Sequence, residues 1–305
     1  MNPQALKWRK LGLVFCPSGQ TPWMQSHASI PIAERLGNDL FKIYFSSRDS
    51  QGRSFTGYTV IDIYQPNQIL GLSSEPVLVP GDLGEFDDSG AMASWLAIHN
   101  HQKYLYYAGW NLAVTVPFRN SIGLSISTQH DKFDRYARGP IVDRTMNEPH
   151  FCGSCCVIPG NDYWRMWYVS CVGWQMRDGK PEHRYHLKYA ESADGIHWQR
   201  EGLVAIDFLN EQEYAISRPS VMQEHGRWKM WYSYRGQSYR IGYAESDDGR
   251  SWRRLDELVN LDVSAAGWDC EMIEYPYVFD HNGQRFMLYN GNGYGRTGFG
   301  LAVLE

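Results

Sequence analysis

One motif, written five times, limits what this chain can fold into. A short strand rich in aromatic and aliphatic residues follows a tight turn at 41–45, 103–107, 164–168, 228–232 and 285–289. Each turn closes a hairpin with an apolar strand before it. A third strand follows at 56–59, 122–125, 188–191, 241–244 and 298–302. In the third and fourth units Tyr189-Ala190-Glu191-Ser192-Ala193-Asp194-Gly195 is echoed by Tyr243-Ala244-Glu245-Ser246-Asp247-Asp248-Gly249. The Asp-Gly pair makes a turn, and Trp198 and Trp252 open a fourth strand. The central aromatic positions are Tyr44, Tyr106, Trp167 and Trp231, with Leu288 in the fifth unit, at steps of 62, 61, 64 and 57 residues. A period near 60 with four strands per unit predicts propeller blades.

Five such units use up the 305 residues. The expectation is an all-β chain forming one five-bladed β-propeller domain with four-stranded antiparallel blades. The boundaries fall near 16–80, 81–141, 142–208, 209–263 and 264–305. The last unit lacks its outer strand, and Trp8-Arg9-Lys10-Leu11-Gly12-Leu13 resembles the fourth strand Trp198-Gln199-Arg200-Glu201-Gly202-Leu203. Residues 6–15 are therefore expected to close blade five, which removes an exposed sheet edge.

Charge and composition exclude several classes of function. The net charge is −5 with no basic stripe, which argues against a nucleic-acid partner. No apolar run reaches 18 residues, so no membrane span is expected. The first 15 residues are polar and lack the apolar core of a secretory signal, and a cytoplasmic protein with reduced thiols is expected. Cys152, Cys155 and Cys156 have no second Cys or His pair at zinc spacing, so neither metal nor cofactor is expected. The glycine-rich run 290–295 follows a strand with no helix after it and is read as no phosphate loop. The 44 aromatic residues (12 Trp, 20 Tyr, 12 Phe) are mostly accounted for by inter-blade packing.

In a propeller the polar groups at the start of each innermost strand crowd around the axis. Those segments hold His27 in blade one, Asp87 and Asp88 in blade two, Glu148 in blade three, Arg218 in blade four, and Glu271 and Glu274 in blade five. Carboxylates recurring in register beside aromatic residues fit a carbohydrate partner, and paired carboxylates of unequal pKa are the means of glycosidic cleavage.

The chain resembles the five-bladed propeller superfamily of invertase, levansucrase, arabinanase and β-mannoside phosphorylase types, in wording closest to a bacterial branch of glycoside-hydrolase-like proteins. The residues that carry this are Ser26-His27-Ala28, Ser47-Arg48-Asp49, Phe86-Asp87-Asp88-Ser89-Gly90, Asn120-Ser121-Ile122-Gly123-Leu124, Glu148-Pro149, Ser217-Arg218-Pro219, Tyr234-Arg235-Gly236, Glu274-Tyr275-Pro276 and Tyr289-Asn290-Gly291. The resemblance implies a glycosidase, hydrolase or transglycosylase, acting on an oligosaccharide or sugar conjugate in the axial pocket. It implies Glu148 as general acid and Asp87 or Asp88 as the transition-state stabiliser. No Asp stands at the blade-one nucleophile position, so Asp49 or Glu274 is expected to activate water. His27, Arg48, Trp110, Arg218, Tyr234, Arg235, Glu271 and Asn290 are the expected substrate contacts, with Trp23 and Trp174 as further stacking candidates. Phosphorolysis, with the Arg and His set holding phosphate, and a non-catalytic carbohydrate-binding propeller are the alternatives.

Overall fold

The computed structural model describes residues 5–129 and 132–305. Its strands pair as five antiparallel meanders. Blade one runs Ser26–Gly37, Leu40–Arg48, Ser54–Asp62 and Ile69–Leu72, and blade two runs Gly90–His99, Gln102–Leu112, Phe118–Gln129 and Lys132–Arg135. Blade three runs Cys152–Ile158, Trp164–Arg177 and Lys180–Ser192, with the short pieces Trp198–Gln199 and Val204–Ile206 sharing its outer edge. Blade four runs Ala215–Glu224, Arg227–Arg235, Tyr239–Ser246 and Arg253–Arg254. Blade five runs Glu274–His281, Gln284–Asn290 and Phe299–Leu304, and Trp8–Phe15 completes it, with Trp8 opposite Leu304 and Phe15 opposite Phe299. The N-terminal strand thus closes the last blade, as its likeness to the blade-three outer strand predicts.

The first strands of the blades touch in a closed circuit, each against the next and the fifth against the first. They therefore line the axis. Every one is interrupted by a bulge or register shift: on both sides of Ser29, and between Ala93 and Trp95, Cys152 and Cys155, Ser217 and Ser220, and Glu274 and Tyr277. A bulge turns a side chain out of the strand's alternation and bends the strand. At three of them a left-handed residue precedes proline: Ile30 (φ 56°), Arg218 (φ 52°) and Tyr275 (φ 55°).

Arg218 is fully buried in the channel and binds the ring together. Its guanidinium donates to the carbonyls of Ser94 in blade two and of Pro31 in blade one. Its backbone N–H meets Ser154 Oγ of blade three at 3.3 Å. The same guanidinium lies 5.7 Å from the Trp95 ring and 5.8 Å from the Tyr277 ring of blade five. One residue of blade four thus reaches the four other blades, three of them through its side chain.

Aromatic pairs join each blade to the next. Tyr44 meets Phe133, Tyr104 meets Trp164, Trp167 meets Trp228, Trp231 meets Trp8, and Phe279 meets Phe41, at centroid distances of 6.1, 5.1, 5.5, 6.2 and 5.2 Å. The Asp-Gly turns lock the same seams. Ser192 Oγ accepts from Gly195 N–H at 2.9 Å and Asp194 accepts from Ile196 and His197 N–H; Ser246 and Asp248 repeat the pattern. Gly195 and Gly249 take φ 75°, which suits glycine, and offer their carbonyls to the preceding blade. Tyr106 Oη donates to Gly195 and Trp167 Nε1 to Gly249, both at 2.8 Å.

The glycine-rich run departs from its reading as helix-free: a single helical turn, Asn292–Gly295, follows the strand, with Gly293 and Tyr294 left-handed inside it. Among the described residues no helix is long and apolar enough to cross a membrane. All six cysteines are free thiols.

Candidate functional site

The first strands begin, and the second strands end, at one mouth of the channel. Glu274 opens the first strand of blade five there, opposite Asn290. It is fully buried, and neither carboxylate oxygen has a hydrogen-bond partner. Burial pushes its pKa well above the ordinary glutamate value, opposed by the Arg235 charge and by the approach of the Tyr294 backbone N–H, which is not close or aligned enough to make a full hydrogen bond. Arg235 donates to Tyr294 Oη at 2.8 Å and stacks 5.1 Å over Tyr214 and 5.5 Å over Tyr239. The Tyr239 and Tyr185 hydroxyls bond to each other. Tyr275 is half-buried within electrostatic reach of both Glu274 and Arg48.

His27 lies across the mouth with its Nδ1 2.9 Å from Ser26 Oγ. Burial, then the charges of Arg48 and Arg296, bring its pKa down to about 4, so the ring is neutral at neutral pH. Beside the mouth a cavity of ≈ 430 Å³ opens between the long hairpin of blade three and blade four, lined by Gln175, Glu182, His183, Tyr214 and Gln237 among others. That hairpin extends well past its neighbours because its strands run 14 and 13 residues. His183 stacks on Tyr185 at 4.6 Å with a 6° tilt, and Trp174 meets it edge-on at 5.6 Å. Burial first, then Arg235, lowers the His183 pKa to about 4, with Glu182 opposing. Glu182 is half-buried, 3.3 Å from Arg177. The mouth therefore offers a buried carboxyl of raised pKa, two imidazoles of lowered pKa, several guanidinium groups and aromatic faces. Among the described residues no three His, Cys, Asp or Glu are placed to hold a metal ion.

Of the residues picked from the sequence, the mouth gathers His27, Arg48, Arg235 and Glu274. Trp110 is half-buried on the blade-two rim, with Nε1 3.2 Å from Ser54 Oγ. Arg218 lies within the channel. Glu271 is exposed, and its backbone carbonyl accepts from Ser238. Asn290 sits behind the mouth, wholly engaged in joining blade five to blade one: Nδ2 donates to Ala28 and Gly298 carbonyls at 2.6 and 3.0 Å, and Oδ1 accepts from Ile30 N–H at 2.8 Å. Asp49 shapes the turn after its strand and pairs with Arg53 at 2.9 Å. Asp88 accepts from Gly84 N–H and Ser89 Oγ. Tyr234 lies under the Arg254 guanidinium at 5.4 Å. Trp23 is buried, with Nε1 bonded to the Ser74 carbonyl.

Asp87 and Glu148 stand in a repeated clasp. Asp87 is fully buried, accepts from Tyr107 Oη at 3.1 Å and pairs with Arg135 at 2.9 Å. Glu148 accepts from Tyr168 Oη at 2.9 Å and Ser170 Oγ at 3.0 Å, with Lys188 and Arg200 at 3.7 and 3.6 Å. Asp269 repeats it with Tyr289 at 3.1 Å and Lys10 at 2.6 Å, and in blade four Arg254 joins Glu213 and Asp256, which accepts from Tyr232. Each clasp ties the entry of a blade to its second strand and to a basic residue at its outer edge. A third-strand glycine makes room for the tyrosine in blades two and four: a Cβ on Gly123 or Gly242 would fall 2.2 or 2.5 Å from the ring. Blade one has Phe45 at the tyrosine position, and Trp23 packs over Gly57 instead.

The sequence reading missed Glu182, His183, Tyr185, Tyr239, Tyr275, Tyr294 and Arg296. One signal was available: Ile30-Pro31, Arg218-Pro219 and Tyr275-Pro276 place proline inside first strands, where it is confined to bulges.

The sequence is 46% identical over 300 residues to Rv1502 of Mycobacterium tuberculosis (strain ATCC 25618 / H37Rv), covering 98% of this protein and 100% of that one. It matches MT1551 of strain CDC 1551 / Oshkosh to the same extent, and both are described as uncharacterized proteins. It belongs to the Rv1502 family. No protein-family model matches it. Among solved structures it is similar to a complex of BT0996 with RGII (TM-score 0.74, 17% identity, 99% of this protein and 92% of that one). It is similar also to a glycosyl hydrolase from Bacteroides ovatus (0.74, 14%, 98% and 94%) and to a thermostable family-43 glycoside hydrolase (0.66, 15%, 93% and 90%). At these identities the likeness is one of fold: the Rv1502 family has the β-propeller of the glycoside hydrolases.

Proposed function

We propose that the protein is a glycoside-processing enzyme, most simply a hydrolase of an oligosaccharide or sugar conjugate in the cytoplasm, working where the channel mouth meets the ≈ 430 Å³ cavity. The observation that carries this reading is Glu274, a fully buried carboxyl with no partner on either oxygen, on a fold whose solved neighbours include glycoside hydrolases. A carboxyl kept protonated by burial is suited to act as a general acid. Glu182, half-buried on the cavity wall and within electrostatic reach of Tyr294, as Glu274 is, is the partner carboxyl. In this reading Glu274 gives its proton to the leaving glycosidic oxygen as the anomeric C–O bond breaks. Glu182 takes a proton from the water that forms the new C–O bond. Trp174 and Tyr214 supply faces for sugar rings. Asp87 and Glu148, which the family resemblance implies as catalytic, serve the blades instead.

The test is hydrolysis of a panel of aryl glycosides and oligosaccharides, with and without phosphate, by the wild type and by Glu274→Gln, Glu182→Gln and Glu148→Gln. Phosphate-independent turnover lost in the first two supports the reading. Turnover retained in Glu274→Gln overturns it.

A further inference from the structure

Several buried and half-buried arginines of this protein are held by carboxylates or carbonyls. Arg135, Arg254 and Arg285 are paired with carboxylates at 2.9, 2.7 and 2.7 Å, and Arg200 has Glu148 at 3.6 Å. Arg218 has no carboxylate but is engaged by two backbone carbonyls. Arg165 and Arg184 of blade three are half-buried with no carboxylate within 4.0 Å among the described residues and with a buried Nε that has no acceptor, and the mouth gathers three more arginines without a carboxylate. Arg48, Arg235 and Arg296 have no carboxylate within 4.0 Å among the described residues. Arg235 retains a buried Nε with no acceptor. Burial raises the pKa of Glu274, the one carboxyl buried among them, and burial with the charges of Arg48 and Arg296 lowers that of His27 to about 4. Arg48 and Arg235 are thus half-buried with no carboxylate within 4.0 Å among the described residues, and Arg296, which is exposed, acts with Arg48 on His27. Holding a guanidinium in a partly desolvated place without a counter-charge is unfavourable, and an arriving anion relieves it.

The backbone is strained at the same place. His27 and Tyr275, neither of them glycine, take left-handed φ of 63° and 55° on the two first strands that flank Arg48. Such conformations hold only where the surroundings enforce them, and they cluster at ligand clamps.

We infer that the channel mouth recognises a sugar bearing an anionic group, a carboxylate or a phosphate ester, which Arg48 and Arg296 grip while the ring extends toward Tyr214 and Trp174. This rests on the proposal that the mouth is a carbohydrate site, and it adds the substrate class. A planar guanidinium meets either oxyanion with two parallel hydrogen bonds, which a neutral hydroxyl does not reproduce.

The test is calorimetric titration of the full-length protein with four probes: methyl β-glucuronide, methyl β-glucoside, glucose 6-phosphate and inorganic phosphate. An anionic sugar is expected to bind at least about tenfold more tightly than methyl β-glucoside. That preference is expected to vanish in Arg48→Gln and Arg296→Gln and to persist in Arg227→Gln, which removes an exposed arginine at the start of the second strand of blade four. Unchanged thermal unfolding of the Gln variants guards against misfolding, and Arg48→Lys, keeping charge without the fork, is expected to restore part of the preference. Comparison of the glucuronide with the phosphate ester identifies which anion the fork takes. Equal binding of neutral and anionic sugars overturns the inference while leaving the carbohydrate site intact. Binding of inorganic phosphate alone overturns it in favour of a phosphate subsite, and no sugar binding at all overturns the carbohydrate site with it.

Discussion

Tyr107 donates its hydroxyl to Asp87, 20 residues earlier, at 3.1 Å, and the same 20-residue separation joins Tyr168 to Glu148 and Tyr289 to Asp269. Three clasps of one spacing in three blades mark a property of the repeat, since a catalytic carboxylate is needed only where substrate sits. The buried acid recovers its solvation loss from a tyrosine, and from a basic residue that reaches in from the outer edge.

Breaking a clasp is therefore expected to be felt in stability. Tyr168→Phe leaves Glu148 short of a donor and should lower unfolding free energy by about 1–3 kcal/mol. Glu148→Ala strands Arg200 and Lys188 at the blade edge and should lower it by about 3–5 kcal/mol. Guanidinium unfolding measures both. A Glu148→Gln protein with wild-type stability and no glycosidase activity would return Glu148 to the chemistry and sink the clasp as its main role.

Glu274 gives the opposite expectation. Its folded pKa is raised above the ordinary 4.5. As pH rises past that value the unfolded protein loses this proton while the folded protein keeps it, so folding becomes less favourable until the folded group ionises as well. Glu274→Gln removes this dependence. Its melting temperature should gain on the wild type as pH rises above the ordinary 4.5, until the folded group ionises, while turnover falls by about 10²–10⁴-fold. A constant difference in melting temperature across that range would mean that the carboxyl is not held protonated.

The architecture was legible in the sequence because a repeat announces itself several times. Aromatic middle strands, the Asp-Gly echo and the displaced outer strand at Trp8 each depend on local pattern. The mouth was only half legible. His27, Arg48, Arg235 and Glu274 could be placed because each stands at a strand end in a repeating frame. Glu182, His183 and Tyr185 were invisible because they depend on one hairpin, in blade three, growing longer than its counterparts, and no period records that. Asp87 and Glu148, the acids implied by the resemblance, also stand in clasps. What identifies their place is a basic partner tens of residues away, 48 in the case of Arg135, which only the fold brings near.

Arg218 is expected to be the most sensitive position in the channel. Arg218→Ala leaves the buried carbonyls of Ser94 and Pro31 without their donors and removes the guanidinium contacts with the Trp95 and Tyr277 rings. About 1–3 kcal/mol per orphaned group sets the scale of the loss. Arg218→Lys keeps the charge but not the fork that spans two blades, and is expected to recover less than half of it. Denaturant midpoints compare the three proteins. A loss below about 1 kcal/mol for the Ala variant would show that the blades close without this contact.

Acid sensitivity should come from the mouth. His27 and His183 have folded pKa values near 4 against an ordinary 6.5, because burial and neighbouring arginines oppose their charged forms. Below pH 6.5 the unfolded protein takes up these protons and the folded protein does not, so stability declines as pH falls toward 4, and the decline ends where the folded rings also protonate. The double variant His27→Gln, His183→Gln should show a flatter melting temperature between about pH 6.5 and about pH 4 than the wild type. Ring resonances followed by NMR give a direct check: both imidazoles should stay neutral at about pH 5.5, and a titration midpoint near 6.5 for either would remove its share of the acid response. The same titration with an anionic sugar bound adds a further constraint. An anion seated beside Arg48 and Arg296 offsets the charges that depress His27, so its midpoint should move up, while a neutral sugar should leave it lower.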